Sequence, residues 1–174
     1  MEEYLKEAEE HLKEFADNIF NIVSQAEKKY DTFVTKYIKD NKLSINKKEA
    51  LEDSDFIDSF AGFLFAVTCL DYADNKIFTL KEEGKEELKI IFKEKYNISL
   101  ADFINNYQKK ISKIVPMDSY LFEKLEEEKT FYVKNDNNSG LMGYYVTDYE
   151  HIITVIKEDK QKREEYLDLL LKRL

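Results

Sequence analysis

Apolar residues recur at alternating steps of three and four along the first forty residues, the spacing that keeps one face of an α-helix apolar. The stripe comprises Leu5, Ala8, Leu12, Phe15, Ile19, Ile22 and Ala26. It continues one residue out of register through Tyr30, Phe33 and Tyr37, so the apolar face rotates slightly without stopping. The pattern predicts one long amphipathic helix that packs against partners along most of its length.

A polar connection is expected next, at Asp40 to Ile45. Asn46 with Glu49 forms a capping pair for a second helix, because a side chain at each position can bond the free backbone N–H groups of the other. This helix is expected to run to about Ala73, with a restart at Ser54 as an alternative to one continuous helix.

The stretch from residue 60 to residue 70 is apolar on nearly every face. In a globular chain such a helix is surrounded by other elements. We therefore expect the centre of the core here. Replacing Leu64 or Phe65 by alanine should then cost about 2 to 5 kcal/mol.

A turn is predicted at Asp71 to Thr79, where Thr79 with Glu82 forms a capping box for a third helix that ends near Tyr96. Ser99 caps a fourth helix, which Pro116 ends because proline removes a backbone donor. A short fifth helix follows over residues 119–129.

Two β-prone runs surround an Asn-rich turn between residues 130 and 147, which predicts a β-hairpin. Thr147 with Glu150 then caps a long last helix that reaches Leu174. The charged stretch in the middle of this helix is expected to be exposed or bent.

The composition agrees with a helical fold. The chain has 174 residues, 43% of them hydrophobic, with one proline and four glycines, so few positions force the backbone to turn. We predict an all-α protein in which residues 1–174 form a single-domain helical bundle of about six helices, with long first and last helices and the small hairpin.

Charge limits the partners. The formal net charge of −9 opposes attraction to phosphate backbones and anionic membranes and makes basic proteins the natural charged partners. Lys109, Lys110 and Lys113 lie on the fourth helix without arginine or stacked aromatics, so we do not expect direct nucleic-acid binding. One cysteine, Cys69, and the absence of a signal-peptide pattern or an apolar run of bilayer length favour a cytoplasmic protein without membrane contact.

Catalytic chemistry has little support in the sequence. Glycine-rich phosphate loops, paired Cys-x-x-Cys ligands and a His-Glu-x-x-His helix are absent. A nucleophilic site would need His11 or His151 beside an activated serine, threonine or cysteine, and Cys69 lies in the most apolar helix. We therefore predict no enzyme activity and no cofactor.

One segment partly resembles an EF-hand calcium loop, in which oxygen ligands recur at fixed positions over twelve residues. The candidate ligands are Asp71, Asn75, Thr79 and Glu82. Ala73 cannot ligate at the third position, and Lys76 replaces the turn glycine. A metal-binding helical protein using this loop, or His11 with His151, is therefore an alternative hypothesis.

Two other features suit recognition of a protein, namely the aromatic hairpin and the acidic faces. The candidate partner-binding residues are Tyr132, Met142, Tyr144, Tyr145, Asp53, Asp55, Glu126 and Glu127. The leading hypothesis is a non-catalytic acidic binding module, such as a phage or mobile-element inhibitor or an immunity protein acting on a basic nucleic-acid-handling enzyme. A self-associating structural module, such as a homodimer formed through the long helices, is a further alternative.

Overall fold

The computed structural model describes residues 2–40, 42–78, 80–116, 119–125, 127 and 151–174, without the side chains of residues 69–78. The helices are α1 Glu2–Tyr37, α2 Lys47–Ala50, α3 Ser54–Phe78, α4 Glu82–Tyr96, α5 Leu100–Ser112, α6 over residues 120–125, α7 over residues 151–158 and α8 Lys160–Leu171. Strands β1 Ile38–Lys39 and β2 Lys42–Leu43 form a two-stranded antiparallel sheet. The all-α prediction is confirmed.

Helix α1 is about 54 Å long at 1.5 Å per residue, and it buries its apolar stripe unevenly. From Leu12 onward the stripe packs into the core, with Ile19, Ala26 and Phe33 almost fully buried. All residues from 2 to 11 are exposed, including Leu5 at 61%. Helix α3, with α4 beside it, is therefore the partner that the sequence predicts for α1. The packing of α1 against this partner begins near Leu12.

A tight hairpin follows α1 where the sequence predicts an irregular polar connection. Ile38 pairs with Leu43 and Lys39 with Lys42, and Asp40 adopts a positive φ of 52° in the turn between them. Aspartate tolerates this left-handed conformation better than most residues, which makes the short turn feasible. The hairpin predicted at residues 130–147 lies outside the described residues.

The helical region that follows is interrupted and then restarts. Asn46 Oδ1 accepts a hydrogen bond from the N–H of Glu49 at 2.9 Å, so the predicted cap of α2 is confirmed. After one turn the chain leaves the helix, and Asp53 Oδ1 accepts from the N–H of Phe56 at 2.7 Å to open α3. The predicted restart of the helix at Ser54 is thus confirmed.

Residues 60–67 of α3 are buried on all sides, as the sequence predicts for the core. Rings of α1 and α3 interleave there: Phe33 lies 4.6 Å from Phe63 and 5.6 Å from Phe56, measured between ring centroids. Tyr107 of α5 donates its hydroxyl hydrogen to the carbonyl oxygen of Ala66 at 2.7 Å, which ties α5 to the same helix.

The turn predicted at Asp71 to Thr79 is wrong for residues 71–78, because α3 continues through Phe78. Once a helix is nucleated each further residue adds a hydrogen bond, and neither proline nor glycine lies between Phe63 and Glu83 to stop it. The predicted capping box is also wrong. Helix α4 begins at Glu82 after Lys81, which makes no side-chain capping bond.

Local sequence signals correctly predict where the next two helices begin. The Oγ of Ser99 accepts from the N–H of Asp102 at 3.0 Å to open α5, and the Oγ of Ser119 accepts from the N–H of Phe122 at 3.2 Å to open α6. The last helical region is divided at Asp159, whose Oδ1 accepts from the N–H of Lys162 at 3.0 Å and caps α8.

A buried arginine holds the junction between α7 and α8. Arg163 is only 6% exposed and donates to three main-chain carbonyl oxygens: from Nε to Ile156 at 2.6 Å, from one terminal nitrogen to Leu51 at 2.7 Å, and from the other to Lys157 at 2.7 Å. The last carbonyls of α7 lack intrahelical donors, so the guanidinium satisfies them and links them to the end of α2.

Candidate functional site

The acidic corner between α2 and α3 holds two of the predicted partner-binding residues, Asp53 and Asp55. Both are exposed in the first turn region of α3. Asp53 is occupied as the helix cap, and the neighbouring Glu52 is ion-paired with Lys160 of α8. Asp58 is paired with Lys157 at 3.0 Å. Lysines of α7 and α8 thus neutralise much of the charge that the sequence places at this corner.

The other predicted partner-binding residues are only partly described. Glu127 is exposed, and its Oε2 lies 3.5 Å from Nζ of Lys124. The remaining ones lie outside the described residues, so the aromatic part of this prediction stays a prediction; they are Glu126, Tyr132, Met142, Tyr144 and Tyr145.

The structure does not support the calcium loop. Asp71 and Asn75 lie in the helical backbone of α3, whereas an EF-hand loop is non-helical from its first ligand onward. Thr79 lies outside the described residues, and Glu82 is the first residue of α4. Within the described part of the chain, no three His, Cys, Asp or Glu side chains gather as a metal site would require.

The two histidines lie in different surroundings. His11 is exposed on α1, with Nε2 3.9 Å from Oε1 of Glu7 one turn earlier. His151 lines a small apolar cavity of about 10 Å³ together with Leu64, Ile156 and Tyr166. The one is a solvated helix residue and the other borders the core, so they do not suggest a shared metal ion.

The exposed first turns of α1 form a surface that the sequence analysis did not single out. Residues 2–14 contain six glutamates and two lysines, for a net charge of −4 with His11 neutral. Two large apolar side chains are displayed among them, Tyr4 at 74% and Leu5 at 61% exposure. An apolar pair with an acidic surround has the composition of an interface core and rim.

Helix α4 extends this surface. The Glu9 carboxylate is the main cause of the raised pKa of the Lys13 amine. Glu87 of α4 is close enough to Lys13 to raise this pKa further. Further along, Nζ of Lys95 lies 2.6 Å from Oδ1 of Asp17, so residue numbers increase in the same direction on both helices. The acidic start of α4 therefore lies near the acidic end of α1. We call residues 2–14 together with residues 82–87 the acidic tip.

The base of the acidic tip is fixed to the core by one polar and aromatic contact. Tyr96 stacks on Phe20 with ring centroids 3.8 Å apart, and its hydroxyl donates to Asp17. Burial, together with this hydrogen bond, raises the pKa of Tyr96 to about 12. Hydrogen bonds from Lys95 and Tyr96 lower the pKa of Asp17. Helix α4 is thereby held against α1 where the exposed turns begin.

The three lysines at the end of α5 differ in whether they form ion pairs within the fold. Nζ of Lys110 lies 3.1 Å from Oε1 of Glu27 and 2.7 Å from Oδ2 of Asp31, so this amine joins α5 to α1. Lys109 and Lys113 are exposed. One of the three lysines therefore forms ion pairs within the fold, and the other two face solvent. This arrangement agrees with a solvated helix face.

Sequence reasoning missed the acidic tip because the apolar stripe predicts burial from its first residue. A signal was present, since glutamates surround Leu5 and Ala8 closely, whereas Asp17 is the one charged residue between Phe15 and Ala26. Arg163 gave no comparable signal, because its partners are backbone oxygens.

Comparison of the chain with protein-family models, with curated proteins and with solved structures finds no significant match in any of the three. Among the described residues, no helix combines the length and the apolar character that crossing a membrane requires.

Proposed function

We propose that this protein is a non-catalytic binding module that engages a basic surface of another protein through the acidic tip. The observation that carries the proposal is the exposure of Tyr4 and Leu5 on a helix end crowded with glutamates. Burying the two apolar side chains would supply affinity, and the glutamates would steer and orient a cationic partner.

The geometry of the tip suits this role. Residues 2–11 form about 15 Å of helix that is exposed along its whole length, so a partner groove can enclose it. Amphipathic helices commonly bind in this way, with anchors spaced by three or four residues. The contact of Tyr96 with Asp17 and Phe20 keeps the base of the tip rigid, which lowers the entropy lost on binding.

Charge favours a different protein over a second copy as the occupant. Two tips facing each other would bring like charges together, each with six glutamates and two lysines on α1 alone. A cationic surface meets no such repulsion. A nucleic-acid-handling enzyme is a natural member of this class, because it carries a basic surface for phosphate binding. Inhibition of such an enzyme by occupying that surface is our specific hypothesis.

The test compares three forms of the full chain against a panel of basic nucleases and related basic enzymes, by biolayer interferometry at low and high salt. The tip variant carries Glu3→Lys, Glu7→Lys and Glu10→Lys. The control variant has the same charge change on exposed glutamates away from the tip, namely Glu123→Lys, Glu158→Lys and Glu165→Lys.

We expect the unmodified chain to bind at least one panel member, with affinity that falls as salt rises. The tip variant should bind about tenfold more weakly or worse, while the control stays close to the unmodified chain. Tyr4→Ser with Leu5→Ser should also weaken binding without changing the charge. No binding across the panel, or equal losses in the tip and control variants, would contradict the proposal.

A further inference from the structure

Three of the four large apolar side chains that are exposed on the described part of the chain lie on α1 and α4. They are Tyr4 and Leu5 on α1 and Ile90 on α4, which is 49% exposed. The fourth, Tyr120, has Nζ of Lys124 5.6 Å from the centroid of its ring, so a charged side chain lies over part of its apolar surface. The side chain of Ile90 has no polar atom that water can solvate, so its burial by a partner is favourable.

Ile90 lies at the centre of an acidic side of α4. Glu83, Glu87 and Glu94 are seven, three and four residues away from it, a spacing that places all four side chains on one side of the helix. The three glutamates are exposed, whereas Phe92 on the opposite side is fully buried. We call Glu83, Glu87, Ile90 and Glu94 the α4 face.

The glutamates of the α4 face keep most of their charge. At the edge of this face, Nζ of Lys89 lies 2.6 Å from Oε1 of Glu86, so this lysine is paired elsewhere. No ion pair among the described residues uses Glu83 or Glu94. An apolar side chain among carboxylates that are not neutralised suits a partner with cationic groups around an apolar one.

The α4 face is continuous with the exposed start of α1. Leu5, Glu9 and Lys13 are spaced by four residues along one side of α1, and Nζ of Lys13 lies 2.8 Å from Oε1 of Glu9. Glu87 also acts on the pKa of the Lys13 amine, so the two helices meet at this pair. From a rise of 1.5 Å per residue and about 9 Å between packed helices, Leu5 and Ile90 lie roughly 20 Å apart.

The exposed start of α1 alone is small for a protein interface. A helix end about 15 Å long and about 10 Å wide covers only part of the roughly 800 Å² that each partner buries in a typical stable complex. A single helix also leaves its partner free to turn about the helix axis. Contact with a second helix enlarges the buried surface and fixes the orientation of the partner.

We propose that the partner of the acidic tip also covers the α4 face, with Ile90 as a third apolar anchor. This inference rests on the proposed function of the tip. The partner that fits is a protein surface with two apolar contacts roughly 20 Å apart and with lysines or arginines between and around them. The apolar contacts bury Leu5 and Ile90, and the cationic groups meet the glutamates of both helices.

The test measures binding of a synthetic cationic peptide to the full chain by fluorescence anisotropy. The peptide is a helix of about 20 residues, roughly 30 Å long, with leucine at every third or fourth position and lysines along both edges. A scrambled peptide of the same composition controls for charge alone. The variants of the α4 face are Ile90→Ser and Glu94→Lys, and the matched controls at exposed positions of α6 are Tyr120→Ser and Glu123→Lys. Circular dichroism reports whether each variant is folded.

We expect the unmodified chain to bind the helical peptide more tightly than the scrambled one. Ile90→Ser and Glu94→Lys should each weaken binding about fivefold, while the two α6 controls change it less than about twofold. Equal losses in the α4 and α6 variants would overturn the inference.

A second comparison separates this inference from the proposed function. If Tyr4→Ser with Leu5→Ser weakens binding and the variants of the α4 face do not, the interface ends at the tip. The inference is then wrong while the proposed function stands. No preference for the helical peptide, or full binding after Tyr4→Ser with Leu5→Ser, would contradict the proposed function as well.

Discussion

Arg163 is the buried charge on which the end of the chain depends, because three carbonyl oxygens on two separate segments accept from its guanidinium. Arg163→Met leaves these oxygens without donors, and Arg163→Lys cannot span them with one ammonium group. We expect each variant to lower the free energy of unfolding by about 2 kcal/mol. Urea denaturation followed by circular dichroism measures this change.

Arg173 provides the matched control, since the chain has only these two arginines and Arg173 is exposed. Arg173→Met should stay within about 0.5 kcal/mol of the unmodified chain. Equal effects at the two positions would show that the carbonyl contacts of Arg163 contribute little.

Asp17 makes the attachment of α4 to α1 dependent on pH. Its pKa is lowered in the folded chain by hydrogen bonds from Lys95 and Tyr96, so its stabilising effect is complete above the ordinary carboxyl pKa. The effect is lost as pH falls through the lowered value. Because Asp17 and Lys95 are both more than one-third exposed, we expect only about 0.5 to 1 kcal/mol.

Comparison of Asp17→Asn with the unmodified chain by urea denaturation between pH 7 and pH 2 tests this. The difference in unfolding free energy should be largest near neutral pH and disappear at the acid end. Glu165→Gln at an exposed position on α8 is the matched control for the removal of one carboxylate. A difference for Asp17→Asn that does not change with pH would contradict the linkage.

Some residue roles can be predicted from the residues nearby in the sequence, and others cannot. The caps formed by Asn46 and Ser99 were predicted because both partners lie within three residues. Arg163 and Leu51 are 112 residues apart, and a backbone acceptor leaves no trace in the side-chain pattern. Long-range polar contacts of this kind follow from the tertiary fold rather than from any local motif.

At the scale of elements, α3 is the centre of the core, and Leu64 tests its packing. Leu64 is fully buried and lines the small apolar cavity beside Ile156. Leu64→Ala enlarges this void, so we expect a loss of about 2 to 5 kcal/mol in unfolding free energy. Thermal unfolding followed by calorimetry measures it.

The same leucine-to-alanine substitution on α1 distinguishes the effect of lost packing from the effect of changed helix propensity. Leu5 belongs to the stripe that predicts burial, yet it is 61% exposed. Leu5→Ala should change stability by less than about 0.5 kcal/mol. A loss as large as that of Leu64→Ala would mean that the first turns of α1 are packed in solution.

The boundaries of the helices and strands show where the spacing of apolar residues is enough to predict an element and where it is not. The length of α1 was predicted, because apolar residues at helical spacing fix it. The end of α3 was predicted too early, since the polar residues after Asp71 resemble a turn but contain no strong helix breaker. Hairpin β1–β2 was missed because two-residue strands carry too little pattern to recognise.

At the scale of the whole molecule, uneven charge predicts the state of association. The acidic tips of two copies repel each other, so we expect a monomer of 20.7 kDa at low salt. Light scattering over a wide concentration range tests this. A stable species of twice that mass would favour the homodimer, and loss of that species in Leu5→Ser would locate its interface at the tip.

Because the exposed turns of α1 contribute nothing to the core, the proposed recognition surface and the part of the chain that folds occupy successive stretches of a single helix. Substitutions before Leu12 can therefore change which partner is bound while the fold that begins there stays intact. Such separation lets a binding specificity diverge rapidly at almost no cost in stability.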